Sequence, residues 1–190
     1  MKTSTLHIRN MCCGRCIEAV TDELQSLGLK IGSVKLGVAS YVPSDKIKLS
    51  QIESVLSKRG FVLIQDEEEI LIEKIKAAIF DLVHRLTEAE KTKFSISSYL
   101  EERINVSYRT LSRIFSQRKH LTIEKYFILL KVEKIKDLIQ NSNVQFSEIA
   151  FSMGYKSLSH LSAQFRQVTG ITMQEFKKTD KKNRKLIDTI

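Results

Sequence analysis

The sequence predicts an α+β N-terminal domain followed by an all-α C-terminal domain, and three observations carry that reading. Short strand-like runs punctuated by Gly and Pro are confined to about the first 66 residues. From there on, apolar residues recur at steps of three and four, the period of helices. Within the helical part, residues 95–127 and 145–177 repeat one pattern at an offset of fifty positions. The chain has 190 residues, room for one large or two small domains, and it is 42% hydrophobic and 28% charged, a balance that folds.

Thr5–Arg9 reads as a strand with Leu6 and Ile8 on one face. A helix follows from about Gly14 to Leu27, with Ile17, Val20, Leu24 and Leu27 as its stripe and Gly28 at the C-terminal cap. Leu29–Lys35 and Val38–Val42 are strands separated by Gly37, and Pro43, Ser44 and Asp45 close the second. Ser50 is the expected N-cap of a helix that carries Ile52, Val55 and Leu56 inward and ends at Gly60. Phe61–Ile64 is the last strand. The order strand–helix–strand–strand–helix–strand predicts a ferredoxin-like βαββαβ domain over residues 1–66.

Asp66–Glu69 opens a long helix over about 67–86, where acidic residues suit the positive end of the helix dipole. Its stripe is Leu71, Ile75, Ala78, Leu82 and Leu86, widened by Ile72, Ile79 and Val83. That width predicts packing against a domain or a partner helix rather than a lone spacer. Residues 67–91 therefore stand as a linker and dimerisation helix. A second long helix, Ile123–Gln140, carries Tyr126, Phe127, Leu130, Ile135, Leu138 and Ile139 as core candidates and joins the two repeat copies.

Charge separates the two parts. Residues 1–69 hold 9 Lys/Arg and 9 Asp/Glu, so the formal +9 of the chain sits entirely in residues 70–190. A localised positive field suits a polyanionic partner, although a solubilising surface accounts for charge alone equally well. The tail, residues 179–190, continues the basic run from Lys177. No apolar run approaches 18 residues and the N-terminus has no secretory pattern, so the expected location is cytoplasmic. The four His do not cluster with carboxylates, and there is no nucleophile–base pairing or Gly-rich phosphate loop; the sequence does not predict an enzyme.

The repeat pairs Ser97 with Ser147, Ser107 with Ser157, Leu111 with Leu161, Ser112 with Ser162, Phe115 with Phe165, Gln117 with Gln167 and Thr122 with Thr172. In the second copy, Phe146–Met153 is a short helix, Gly154 and Tyr155 form a turn, and Ser157 caps a helix with Leu161, Phe165 and Val168 inward. That is a helix-turn-helix. The first copy matches it with Ser97–Arg103, a turn at 104–106, and Ser107–Gln117. The second helix of such a unit enters a major groove with its N-terminal residues at base edges. Facing outward are Tyr108, Arg109, Ser112 and Arg113 in the first copy, and Lys156, Ser157, Ser159, His160, Ala163 and Gln164 in the second. Arg109 and Arg113 are the strongest base readers, because arginine bridges guanine O6 and N7.

The stretch Phe146-Ser-Glu-Ile-Ala-Phe-Ser-Met-Gly-Tyr155, with Ser157-Leu-Ser-His-Leu-Ser-Ala-Gln-Phe-Arg166, Gly170-Ile-Thr-Met and Phe176, resembles the signature of AraC/XylS-type transcription regulators. The resemblance covers residues 94–178. It implies a domain, bounded here as 92–178, with two helix-turn-helix units joined by a long helix. It also implies recognition of double-stranded promoter DNA through two successive major-groove segments, with RNA polymerase as a further partner of an activator.

The three cysteines, Cys12, Cys13 and Cys16, lie within five positions and have no distant partner, so they form a local thiol cluster and not a disulfide framework. Cys13 and Cys16 can face one point at a helix start, where the dipole favours thiolate, and soft sulfurs suit Cu(I) or Zn²⁺. Met11-x-Cys13-x-x-Cys16 in this strand–helix context resembles heavy-metal-associated domains of copper chaperones and metal-transporting ATPases, over residues 3–66. Cys12 replaces the small hydroxyl residue usual there and stands either as a third ligand or as a neighbour without a role; Asn10 and Arg15 also depart from the pattern. Metal sensing, thiol oxidation and a ligand-free docking module all remain open for this domain. For the whole chain, the alternatives to a regulator are a soluble metal carrier that associates with nucleic acid and a thiol oxidoreductase.

Overall fold

The computed structural model describes residues 3–86, 95–142 and 144–178. These fall into two compact units, residues 1–77 and 78–190, and the division lies inside one helix.

The first unit contains β1 (Ser4–Arg9), α1 (Gly14–Ser26), β2 (Lys30–Lys35), β3 (Val38–Val42), α2 (Leu49–Lys58), β4 (Val62–Ile64) and the start of α3 (Glu67–Leu86). The strands form one sheet of order β2-β3-β1-β4, with every neighbouring pair antiparallel. Leu6 and Ile8 alternate inward from β1, as a half-buried strand requires. They join Val20 and Leu24 of α1 and Ile52 and Leu56 of α2 in the core of this unit, with Met11, Leu29, Ala39 and Phe61. Val20, Leu24 and Leu56 are wholly buried, each worth about 1.5–3 kcal/mol of transfer free energy. Gly37, at φ +78, makes the reversal between β2 and β3, and its carbonyl accepts the Ile8 N–H at 3.0 Å.

Ser50 is not the cap of α2. The helix starts two residues earlier than that cap implies, at Leu49; Lys48 holds the N-cap position, and its N–H donates to the Gln51 side-chain oxygen at 2.8 Å. In α3 the buried apolar side chains are Ile72, Ile75, Ala78, Ile79 and Val83, whereas Leu71, Leu82 and Leu86 are only half-buried. The stripe thus runs about one residue round the helix from its expected centre.

The second unit is helical throughout its described residues: α4 (Ile96–Ile104), α5 (Tyr108–Lys119), α6 (Ile123–Asn141), α7 (Phe146–Ser152), α8 (Leu158–Thr169) and α9 (Met173–Lys178), after the last part of α3. α6 packs against α5, α7, α8 and α9 and is the axis of the unit. Its buried residues include Tyr126, Leu130, Ile135 and Ile139 as expected. Phe127 and Leu138 are half-buried, and Ile123, Lys131 and Val132 take core places instead. The expected residues 87–94 of the linker and domain start, and the basic tail 179–190, lie outside the described residues. No helix among the described residues is long and apolar enough to cross a membrane.

Candidate functional site

The two sequence copies fold as two helix-turn-helix units, α4–α5 and α7–α8. In the second unit, the Ser157 hydroxyl accepts the His160 N–H at 3.1 Å, which fixes the start of α8. Gly154 (φ +71) and Gly170 (φ +80) take the left-handed turns on either side of α8. The first unit solves the same turns with other residues. Asn105 (φ 59) and His120 (φ 53) adopt the left-handed conformation, which both residue types tolerate better than most.

Ser107 sits at the N-cap position of α5, yet its hydroxyl bonds the Thr110 hydroxyl rather than a backbone N–H. The backbone N–H of Tyr108, next in the chain, donates to Glu101 Oε1 at 2.6 Å. The identical pair Thr122 and Thr172 does keep one role: each hydroxyl accepts the N–H three residues on, at 3.2 Å, capping α6 and α9.

Beneath the outward faces, Leu111, Ile114 and Phe115 of α5 and Leu161 and Phe165 of α8 are buried. This leaves Arg109 and Arg113 exposed one turn apart on α5. Arg113 Nη1 donates to Gln117 Oε1 at 3.1 Å, which limits the guanidinium's freedom. Ser112 is half-buried beside them. On and before α8, Lys156, Ser157, Ser159, His160 and Ala163 are exposed.

Two expected readers are engaged inside the unit. The Tyr108 hydroxyl donates to Glu124 at the start of α6. Burial, and then that bond to a carboxylate, push the phenol's pKa well up, while the bond holds the Glu124 carboxyl below its usual range. The Gln164 side-chain oxygen accepts the Tyr155 hydroxyl at 2.6 Å.

The residue that sequence reasoning missed is Lys131. It is 9% exposed, and its Nζ lies 3.9 Å from the Tyr155 ring centroid and 5.5 Å from that of Phe127. Burial brings its pKa down to about 8 and pushes the Tyr155 phenol up to about 12. The His160 ring also meets Tyr155, edge-on, with centroids 5.4 Å apart. Lys131, Tyr155, Gln164 and His160 thus connect α6 to the start and middle of α8. The available signal was spacing: Phe127, Lys131 and Ile135 follow at steps of four on the buried side of α6.

In the first unit of the chain, the structure brings the three thiols together. Cys16 Sγ lies 3.6 Å from Cys12 Sγ and 3.7 Å from Cys13 Sγ, and all three sulfurs fall within 4.8 Å of one another. All three residues are half-buried, and the spacings are those of thiols and not of a disulfide. Cys13 occupies the N-cap position of α1 and Cys16 its first turn. Partial burial pushes the Cys13 thiol up, but the Cys16 backbone N–H, the Cys16 thiol, the Arg15 N–H and the Cys12 thiol outweigh it and leave the pKa below the ordinary value. The donor set fits a soft metal: an ion bonded at about 2.3 Å to each sulfur separates the sulfurs by roughly 3.6–4 Å. Cu(I) or Zn²⁺ held there would draw the thiols into their thiolate form.

Residues 100–179 match the family model described as a helix-turn-helix domain. The HTH-type transcriptional activator RhaS of Escherichia fergusonii is 32% identical over 78 residues, 41% of this chain and 28% of that protein. The HTH-type transcriptional regulator GbdR of Pseudomonas aeruginosa is 29% identical over 68 residues, 36% of this chain and 18% of that protein. The chain therefore spans less than a third of the length of either relative. A transcriptional regulator with an AraC-type DNA-binding domain from Chromobacterium violaceum aligns at a TM-score of 0.45 and 23% identity, over 56% of this chain and 95% of that one. By the family match, the chain carries a helix-turn-helix domain across residues 100–179.

Proposed function

We propose that the chain is a transcription regulator that binds double-stranded promoter DNA through α5 and α8, in two successive major-groove segments. The observation that carries this reading is the pair of recognition helices. Each buries a Leu and a Phe one turn apart and turns a polar face outward. Arg109 and Arg113 read bases, with guanine as the expected contact. Lys156, Ser157, Ser159 and His160 stand at the N-terminal end of α8, where base edges and phosphates are reached. Tyr108 and Gln164 hold their helices in place through Glu124 and Tyr155. The net +9 of residues 70–190 supplies the attraction to phosphate that is independent of sequence.

The first unit is a ferredoxin-like βαββαβ domain in this reading. Its element order and its sheet order β2-β3-β1-β4 support that. Residues 1–66 sense through the thiol cluster, 67–91 link, 92–178 bind DNA, and 179–190 add a basic tail. The sensing chemistry is binding of Cu(I) or Zn²⁺ at Cys13 and Cys16, supported by their sulfur separation and by the lowered pKa of Cys13. Metal alters DNA affinity only if it binds two states of the chain differently. A homodimer through 67–90 would have to use half-buried Leu71, Phe80 and Leu82, because Ile72, Ile75, Ile79 and Val83 are buried in the single chain. The location is cytoplasmic, and RNA polymerase is the further partner if the protein activates.

The test is a fluorescence-anisotropy titration against a duplex selected from a random library, beside a scrambled duplex at the same salt. A preference of about a thousandfold or more is expected of a specific regulator. Equal affinity for the two duplexes would favour a metal carrier that associates with nucleic acid through charge alone.

A further inference from the structure

We propose that Cys12 is a third metal ligand, so that the thiol cluster is a three-sulfur site for Cu(I). The inference rests on the metal reading of the cluster and goes beyond it in coordination number and in the choice of ion. The Met11-x-Cys13-x-x-Cys16 spacing supplies two sulfurs, and position 12 is no part of it.

Geometry brings the third sulfur in. Cys12 Sγ is as close to Cys16 Sγ, at 3.6 Å, as Cys13 Sγ is, at 3.7 Å. Cys16 is therefore the shared corner of a triangle whose three atoms lie within 4.8 Å. An ion about 2.3 Å from each sulfur fits within that triangle without backbone movement. The segment ahead of the site is pinned, which keeps Cys12 from swinging to solvent. Asn10 takes the left-handed conformation at φ 74, and its Nδ2 donates to the Gly60 carbonyl at 2.8 Å, fastening the loop to the end of α2. The Met11 side chain, between Asn10 and Cys12, is 7% exposed and packed in the core. Cys12 is thus anchored through its neighbours and presents its sulfur on the side of Cys16.

The donor set selects the ion. Among the described residues, no His, Asp or Glu joins the three cysteines. Zn²⁺ takes four ligands in a closed protein site, and three sulfurs leave it one short. Hard cations such as Mg²⁺ and Ca²⁺ need oxygen. Cu(I) is soft, is selected by thiolates and is satisfied by three of them. Binding releases the thiol protons as the sulfurs become thiolates, and Arg15 with the first-turn N–H groups of α1 offsets part of the negative charge that results.

The experiment uses the full-length reduced protein under anaerobic conditions, titrated with Cu(I) against a chromophoric Cu(I) chelator. X-ray absorption of the loaded protein then counts sulfurs, and circular dichroism checks that each variant keeps its fold. One Cu(I) with three sulfurs is expected. Cys12→Ser should still bind, with two sulfurs and an affinity lower by about tenfold or more. Zn²⁺ added in excess should fail to displace the Cu(I). Two sulfurs in the unsubstituted protein, with Cys12→Ser binding equally well, would overturn the third ligand and leave the metal reading standing. Displacement by Zn²⁺ would overturn the choice of ion. No Cu(I) or Zn²⁺ bound by the unsubstituted protein would overturn both the inference and the metal reading.

Discussion

Arg113 and Gln164 sit at outward places on their helices, yet their surroundings give them different work. Arg113 is exposed, with its guanidinium braced by Gln117, and in the proposed function it reads a base. Arg113→Ala should weaken binding to the selected duplex by about 1–3 kcal/mol, with unchanged helical content by circular dichroism. Gln164 is bound to Tyr155, whose ring lies against buried Lys131. Lys131 has its pKa lowered by burial, to about 8 from 10.5. Between those pH values the unfolded chain still holds the proton that the folded chain has released, so stability rises with pH through that window. The cation–π contact with Tyr155 opposes part of this by favouring the charged form. Denaturant unfolding at pH 7 and at pH 9.5 should therefore show the parent protein gaining stability relative to Lys131→Met as pH rises; a constant difference would mean that the lysine is solvated. The partners of Gln164 and Tyr108 were not readable from the sequence, because an outward place on a helical wheel does not reveal a partner nine or sixteen residues away.

The recognition helices were legible as elements because their burial follows a 3.6-residue period, each is preceded by a Ser, and the turns around α8 carry Gly. Leu111, Phe115, Leu161 and Phe165 took their expected core places. Leu161→Ala or Phe165→Ala should cost about 2–5 kcal/mol and show first as a lowered melting temperature. Capping was legible in only one copy. Ser157→Ala should destabilise by about 1 kcal/mol, since its hydroxyl satisfies a backbone N–H. Ser107→Ala should cost clearly less, because its hydroxyl accepts no backbone N–H. Identical residues at matched positions thus differ in role because the Ser107 hydroxyl pairs with the Thr110 hydroxyl, whereas that of Ser157 accepts the His160 N–H. The register of α3 was misjudged for a related reason: with apolar residues on most of its circumference, periodicity alone does not say which side is buried.

Across the whole molecule, the change of period near residue 66 and the charge split at 69/70 were legible in sequence, whereas the division between the two units falls later, at 77/78, inside α3. The order of the strands was not, since pairing depends on contacts far apart in the chain, such as His7 with Ile64. The proposed function divides in the same way: the duplicated basic helical unit is matched to duplex DNA, and the thiol cluster, within residues 1–69 of zero net charge, to a soft ion. The most direct test of the DNA account is hydroxyl-radical footprinting on the best duplex selected from a random library, with the parent protein and with Arg109→Ala/Arg113→Ala. Two protected segments are predicted, about one helical turn or roughly 34 Å apart, with the double variant losing protection at one and keeping the other. A single protected segment, or a library from which no sequence is enriched, would contradict the account.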